Sequence, residues 1–320
     1  MKRLTLGLIV LLLLAAGLSV AAGKVWVPLD AWTAADPRSI IIVELRLPRT
    51  VLALLVGSAL GLSGAVMQGY LRNPLADPGL FGVSSGAAFG AVIALYFGYA
   101  VQMWLLPGFA LVGAGVTMAL LALIAGRSGS LILFTLAGMI LTSITGSLTA
   151  LAISLAPTPF VSSQIVTWLM GALTDRSWDD VLVAAPLIVA GMVVLALTAR
   201  SLDALTLGEA AARSMGVDPA RLQRLVIAGI ALTVGASVAS AGMIGFVGLI
   251  VPHMVRPFAG NRPSAILLPS ALAGAVLLTL ADSLVRLAPT VSELRLGIAM
   301  SMLGGPFFLY LLIAMRRRLA

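Results

Sequence analysis

The sequence predicts an all-α, polytopic membrane protein with about ten membrane-spanning helices. Hydrophobic residues make up 60% of its 320 residues, charged residues make up only 10%, and the charges fall between long apolar runs. Soluble domains are typically ~45–50% apolar and ~25% charged, so the composition excludes a water-soluble enzyme and a disordered chain. Glycine and proline are spread through the apolar runs, as membrane helices tolerate.

Each span is an apolar run bounded by charges, prolines or turn residues, because the bilayer core accepts a helix of about 20 residues. The ten runs are, in chain order, 4–22, 47–70, 80–98, 106–126, 131–155, 181–199, 222–241, 243–258, 266–286 and 296–315. The eighth run is short and follows a glycine-interrupted stretch. The boundary between the seventh and eighth spans, and so their count, is therefore left open.

The distribution of positive charge predicts the orientation. With the N-terminus inside, 13 of the 20 Lys and Arg residues fall on inner segments and 7 on outer segments. Because positive charge favours the cytoplasmic side, both termini are expected inside. Residues 1–22 also resemble a secretory signal, with Lys2-Arg3 before an apolar stretch and Val20-Ala21-Ala22 after it. That stretch is long for a signal core, and we expect it to be retained as a span.

Several classes of chemistry are excluded by what the sequence lacks. Cysteine is absent and His253 is the single histidine, which excludes disulfides, thiolate chemistry and multi-histidine metal sites. No phosphate loop for ATP is present. No charged residue falls near the middle of a span, whereas ion-coupled carriers need one there. Asp179-Asp180 is the one adjacent carboxylate pair, too little for a magnesium-dependent lipid enzyme. Nor do the scattered charges form a nucleic-acid face.

Two kinds of motif mark the first half of the chain. Arg46-Leu47-Pro48-Arg49 opens the second span on the outer side, where two guanidinium groups suit either the carboxylates of an acidic protein or lipid headgroups. The spacings Gly57-x-x-x-Gly61 and Gly82-x-x-x-Gly86-x-x-x-Gly90 predict closely packed helices rather than a site.

The inner turn Asn73-Pro74-Leu75 is predicted to be rigid, because a proline holds the preceding residue out of helical geometry. It is either a structural turn or a constriction at the inner mouth.

The longest inner loop, 201–221, is predicted to be ordered. Glu209 and Arg213 are spaced i, i+4 and favour a short helix, Gly216 is a C-cap candidate, and Asp218-Pro219 is typical of a helix start. An ordered elbow of this kind predicts a docking surface for a cytoplasmic partner.

Four stretches together resemble one family, the FecCD-type permease subunits of ABC importers for iron-siderophores, heme and vitamin B12. They are 46–90, 202–217, 240–256 and 303–312, and weaker similarity joins them across nearly the whole chain. The resemblance implies a single transmembrane domain over 1–320, a bundle like that of the vitamin B12 importer, and a coupling loop at about 201–221. It also implies a multi-pass protein of the bacterial inner membrane.

The resemblance implies partners rather than cofactors. A second permease subunit, identical or paralogous, two cytoplasmic ATPase subunits and a periplasmic binding protein are expected, with ATP and magnesium held by the ATPase subunits and none by this chain. The chain itself is then not an enzyme and binds no nucleic acid. An iron chelate is the favoured ligand on family frequency, cobalamin is the alternative, and an ion-coupled carrier is a remote one.

The resemblance also assigns residues to three surfaces. The residues assigned to docking of the binding protein are Arg46, Arg49, Arg286 and Arg295. Arg295 occupies a position where the family usually has proline after Glu-Leu. The inner gate falls on Asn73, Pro74, Leu75, Thr145 and Gly146. Coupling to the ATPase falls on Leu205, Leu207, Gly208, Glu209, Ala211, Arg213, Met215 and Gly216.

Overall fold

The computed structural model describes residues 2–25, 27–28, 32, 38–102, 104–126, 130–289 and 293–319, the last six as backbone only. In these ranges all regular structure is helical, which confirms the predicted class. The α-helices are α1 (Lys2–Ala21), α2 (Leu47–Tyr70), α3 (Val83–Tyr96), α4 (Leu105–Ala125), α5 (Leu131–Ser154), α6 (Pro159–Leu169), α7 (Trp178–Ala196), α8 (Ala199–Leu205), α9 (Glu209–Ser214), α10 (Pro219–Ala241), α11 (Val247–Ala259), α12 (Pro263–Leu287) and α13 (Leu296–Leu319).

Every one of the ten predicted runs coincides with a helix. Eight helices in the described ranges are long and apolar enough to cross a membrane, and a helical turn over Ile41–Arg46 lengthens the α2 span. The third and eighth runs are the shorter apolar helices α3 and α11. α11 begins only at Val247, because the chain leaves helical geometry after α10 and Phe246 adopts φ +67°. The count of crossings and the orientation stay predictions.

Ion pairs join groups that the charge count assigned to the same side. Arg49 pairs with Asp282 at 2.9 Å on the predicted outer side, and Arg72 pairs with Glu209 at 3.6 Å on the predicted inner side. These pairs are consistent with the predicted topology, in which successive loops lie on alternate sides of the membrane. Arg127, one of the inner charges in that count, lies outside the described residues.

Small residues hold the centre of the bundle together, as their spacing predicted. A Cβ on Gly57 would collide with the backbone of Gly274, and one on Gly64 would collide with Gly248. α2 therefore packs backbone to backbone against α12 and α11. Gly86 makes a similar approach to α4. Gly82 differs, because it lies before α3 at φ +85° rather than within a helix.

The helices fall into a buried centre and an exposed periphery. In the most apolar windows of each span, 78% of residues are buried in the stretch that contains α2, against 28% in α5. The outer surface of α5 carries large apolar side chains such as Ile132, Ile140 and Leu151. Such faces suit lipid or another membrane-embedded chain, so α2, α10 and α12 form the framework that positions the rest.

Candidate docking, gate and coupling surfaces

A buried ion cluster lies at the ends of α2 and α12 that are predicted to face outward. Arg49 Nε lies 3.1 and 3.0 Å from the two carboxylate oxygens of Asp282, and its Nη2 lies 2.9 Å from Oδ1. Its Nη1 donates to Glu293 at 2.9 Å. Arg286 Nη2 lies 3.1 Å from Oδ2 of Asp282. Asp282 is wholly buried, so the two arginines replace the water that its charge has lost.

The same cluster holds the end of α1. Arg46 donates to the carbonyls of Val20 and Ala21, at 3.1 and 2.8 Å. Arg286 donates to the Ala22 carbonyl at 3.2 Å and to the Ser19 hydroxyl. Carbonyls at a helix C-terminus have no partner within the helix and attract cations. The arginines therefore fix α1 to α2 and α12.

These contacts change the interpretation of the outer arginines. Arg46, Arg49 and Arg286 are buried, and each donates several bonds inside the chain. The sequence interpretation offered the guanidinium groups of Arg46 and Arg49 to an acidic protein or to lipid headgroups. In the structure these groups are buried, and their N–H donors already have acceptors within the chain. Their docking role stays a prediction. Arg295 is half-buried, and its side chain makes no hydrogen bond or ion pair among the described residues, so its charge is available.

Glu293 connects this cluster to the start of α13. Its Oε2 accepts from Arg49 at 2.9 Å and from the Thr174 hydroxyl at 3.1 Å. Burial by itself would raise the pKa of Glu293, but the charge of Arg49 and the two hydrogen bonds bring the pKa below its ordinary value. Glu293 is therefore ionised at neutral pH and ties the α6–α7 loop to α2.

The predicted inner gate turn is tightly hydrogen-bonded. Asn73 Oδ1 accepts from the Leu75 backbone N–H at 3.0 Å, and the Asn73 N–H donates to Gln68 O at 3.1 Å. Asp77 then caps a 3₁₀ turn by accepting from Gly79 at 2.8 Å. Burial raises the pKa of the Asp77 carboxyl, and the bond from Gly79 opposes that rise. The turn is thus rigid, as its proline predicted.

The gate residues on α5 lie apart from that turn. Asn73 and Leu75 line a cleft of about 480 Å³ whose opposite wall is the first turns of α5, including Leu136 and Met139. Thr145 and Gly146 lie mid-helix and do not line it. Thr145 is buried and bonds to the Ser85 hydroxyl at 2.8 Å, whereas Gly146 is exposed with open space at its Cα. The gate role of Thr145 and Gly146 therefore stays a prediction.

The coupling loop is ordered in the way its residues predicted. α9 ends in a Schellman motif, in which Val217 N–H donates to Ala212 O at 3.0 Å and Gly216, at φ +86°, donates to Arg213 O at 2.9 Å. Asp218 caps α10 by accepting from Ala220 at 2.9 Å. The elbow between α9 and α10 is therefore fixed by local bonds.

The residues assigned to coupling divide by exposure. Leu205 is buried and packs in the core, and Ala211 is half-buried. Leu207 and Met215 are 66% and 63% exposed. The remaining four are exposed or half-buried, namely Gly208, Glu209, Arg213 and Gly216.

Two contacts that sequence reasoning missed tie this loop to the bundle. Asp203 of α8 accepts from the Ser264 backbone N–H at 2.9 Å and from its hydroxyl at 2.6 Å, which caps α12 from outside. Glu209 of α9 pairs with Arg72, beside the gate turn, rather than with Arg213. α8 thus touches α12, and α9 touches the gate turn.

Two other sequence features have structural roles. Asp180 closes a capping box with Ser177 at the start of α7, so the carboxylate pair Asp179-Asp180 begins a helix. His253 packs edge-on against Phe307, with ring centroids 5.9 Å apart. Among the described residues, no group of three or more metal-ligating side chains comes together.

A bundle of long apolar helices with an ordered elbow beside a rigid turn fits a transport permease, and the comparisons with known proteins show this class. The model of the FecCD transport family matches residues 8–314. Vitamin B12 import system permease proteins of Salmonella typhimurium and Salmonella typhi are each 39% identical over 317 residues, which is 98% of this chain and 96% of theirs. A solved structure, an inward-facing conformation of an ABC transporter assigned to the metal-chelate type, matches with a TM-score of 0.90 and 33% identity, covering 98% of this chain and all of that one.

The chain therefore belongs to the FecCD transport family. It is a multi-pass inner-membrane permease subunit of an ABC importer, and as a permease subunit it is not itself catalytic.

Proposed function

We propose that this permease works with two cytoplasmic ATPase subunits, which hold ATP and magnesium, and with a periplasmic protein that delivers a metal chelate. The single observation that supports the ATPase contact best is the apolar pair Leu207 and Met215. Both side chains are exposed on a loop predicted to lie outside the bilayer, where lipid does not cover them. Exposed apolar side chains on an ordered cytoplasmic segment suit a protein interface.

The coupling loop can transmit movement in two directions. Through Asp203 and Ser264 it holds the N-terminus of α12, and α12 packs backbone to backbone on α2. Through Glu209 and Arg72 it touches the gate turn. We propose that closure of the ATPase dimer shifts α8 and α9, and that these contacts move the bundle and the turn together. The ligand then passes along the axis shared with a second, identical or paralogous, permease.

We propose an iron chelate as the ligand. The structural neighbour is assigned to the metal-chelate type, which supports a large chelated metal as the cargo. Cobalamin is the second candidate, because the relatives at 39% identity are vitamin B12 permeases.

The test is ligand binding by the cognate periplasmic protein, scanned over ferric siderophores, heme and cobalamin by calorimetry. Submicromolar binding of a ferric chelate, with none of cobalamin, is expected. Tight binding of cobalamin alone would replace the first ligand with the second. Binding of neither would contradict the chelate class.

A further inference from the structure

A small cleft opens on the predicted inner side, where the end of α2, the end of α11 and the start of α12 meet. Its volume is about 230 Å³, and its polar wall residues are Gln68, Arg72, Thr206, Arg256 and Asn261. Pockets for drug-sized ligands are larger, at ~300–1,000 Å³. The cleft is therefore too small for a metal chelate and has the size of a single polar group.

Positive charge on the walls of this cleft exceeds negative charge. Arg256 forms no ion pair within the described part of the chain, and Arg72 has one carboxylate partner, Glu209, at 3.6 Å. That distance is too long for a hydrogen bond. Asp203 of α8 already accepts two bonds from the start of α12. Since no carboxylate is among the described wall residues, an anion in the cleft would meet two guanidinium groups and no like charge.

Hydrogen bonds orient one of the two guanidinium groups. Gln68 Nε2 donates to the carbonyls of Gly248 and Leu249, at 3.3 and 3.4 Å, and this leaves Gln68 Oε1 to accept from Arg256 Nη2 at 2.8 Å. Arg256 makes no other side-chain hydrogen bond to the described residues. Asn261, exposed between α11 and α12, makes none at all through its side chain. The cleft thus offers a positioned cation and an amide that is free to donate.

Two features of this region indicate which anion fits. Guanidinium groups bind phosphate oxygens through paired N–H donors, and basic pockets between helices on the cytoplasmic side bind phospholipid headgroups. The last turns of α11 also expose Met254 and Phe258, by 55% and 72%, in the same helix as Arg256. Apolar surface near a basic cleft complements a molecule that has acyl chains and a charged headgroup.

We propose that this cleft binds a phosphate group through Arg72, Arg256 and Asn261. The phosphate belongs to an anionic phospholipid of the cytoplasmic leaflet or is free phosphate, and the exposed apolar pair on α11 favours the lipid. A bound phosphate would bridge α11 and the residue beside the gate turn, Arg72. The site is separate from the cargo and does not depend on which ligand the importer carries.

The test is a binding titration of the permease purified with its ATPase subunits, whose nucleotide sites are filled with a non-hydrolysable ATP analogue. Native mass spectrometry follows phosphatidylglycerol and phosphatidylcholine with the same acyl chains, and equilibrium dialysis follows inorganic phosphate. Arg256→Gln removes a charge from the cleft. Asn261→Asp adds a carboxylate to its wall without removing any bond of the structure, so it keeps the test valid if Arg256→Gln unfolds. Arg221→Gln is the matched control, an exposed arginine at the start of α10 and outside the cleft.

We expect phosphatidylglycerol to bind more tightly than phosphatidylcholine. Its Kd should rise about tenfold in Arg256→Gln and in Asn261→Asp, as for a lost bond to a charged group, and by about twofold or less in Arg221→Gln. Saturable binding of inorganic phosphate with the same dependence on the variants would support the site and identify free phosphate as the ligand. Equal weakening in all three variants would mean general attraction to a basic surface and would overturn the proposal. Binding of neither probe, as when an acidic side chain of an ATPase subunit fills the cleft, would overturn it too.

Discussion

Asp282, wholly buried near the C-terminal end of α12, accepts three hydrogen bonds from Arg49 in the first turn of α2. The two residues stand 233 positions apart, and their bond closes the same helix pair that Gly57 and Gly274 close at mid-span. Arg46, Arg49 and Arg286 thus form a structural clamp that holds α1, α2 and α12 together. Any effect of their substitution on transport has to be separated from an effect on folding.

Asp282→Asn should destabilise the permease strongly. The variant keeps the shape but leaves Arg49 and Arg286 facing an amide in a buried site, and loss of one partner of a buried pair costs ~3–5 kcal/mol. Chemical unfolding in detergent measures the loss. The matched control is Arg295→Gln, a half-buried, unpaired arginine, expected within about 0.5 kcal/mol of wild type. Equal stability of both variants would contradict the clamp.

Glu293→Gln should show a pH-dependent loss of stability. The folded-state pKa of Glu293 lies below its ordinary 4.5, so the folded chain holds the ionised form and its stabilisation is present above that value. As pH falls through the lowered pKa, wild type loses this contribution and approaches the variant. Unfolding midpoints from neutral to acid pH measure the difference. A difference that widens on acidification would refute the assignment.

Gly216→Val should uncouple ATP hydrolysis from transport without unfolding the bundle. Gly216 has open space around it but φ +86°, so valine strains the elbow without a clash, by about 1–2 kcal/mol. Gly98, at φ +74° with equally open space on the predicted outer side, is the matched control. We expect weaker ATPase co-purification and less transport per ATP for Gly216→Val alone. The same defect in Gly98→Val would mean that strain in general, not the elbow, is responsible.

Reversal of the Arg72–Glu209 pair tests the contact between α9 and the gate turn. Both side chains are about 40% exposed, so the pair adds at most ~1 kcal/mol to stability and the fold should survive. Arg72→Glu and Glu209→Arg should each lower ligand transport per ATP hydrolysed, and the double reversal should restore part of it. Additive losses in the double variant would show that the two residues act independently.

Local signals explain what the sequence predicted well. Each predicted apolar run coincides with a helix, and Gly216 and Asp218 are end signals that depend on the neighbouring residues only. The family resemblance supplied the transport class. The burial of Arg49 was not foreseen, because its partner is on a distant helix. A signal existed, since Asp282 and Arg286 lie four apart inside an apolar run, where a charge requires a partner.

Other features depend on packing that one sequence does not reveal. The bond from Asp203 to Ser264 and the pair of Glu209 with Arg72 join segments whose proximity follows from the bundle as a whole. A cleft between α6, the α6–α7 loop and the start of α13 brings Trp168, Arg176 and Arg295 together from three separate segments. A continuous apolar run does not show which turn of α5 faces the inner mouth, so the gate role of Thr145 and Gly146 stays a prediction.

The most direct test of the account is uptake by purified permease in proteoliposomes, with its ATPase subunits and its binding protein loaded with a radioactive ferric chelate. We expect uptake that requires ATP and both partners and that persists when proton and sodium gradients are collapsed. Uptake by the permease alone, driven by an ion gradient, would contradict it.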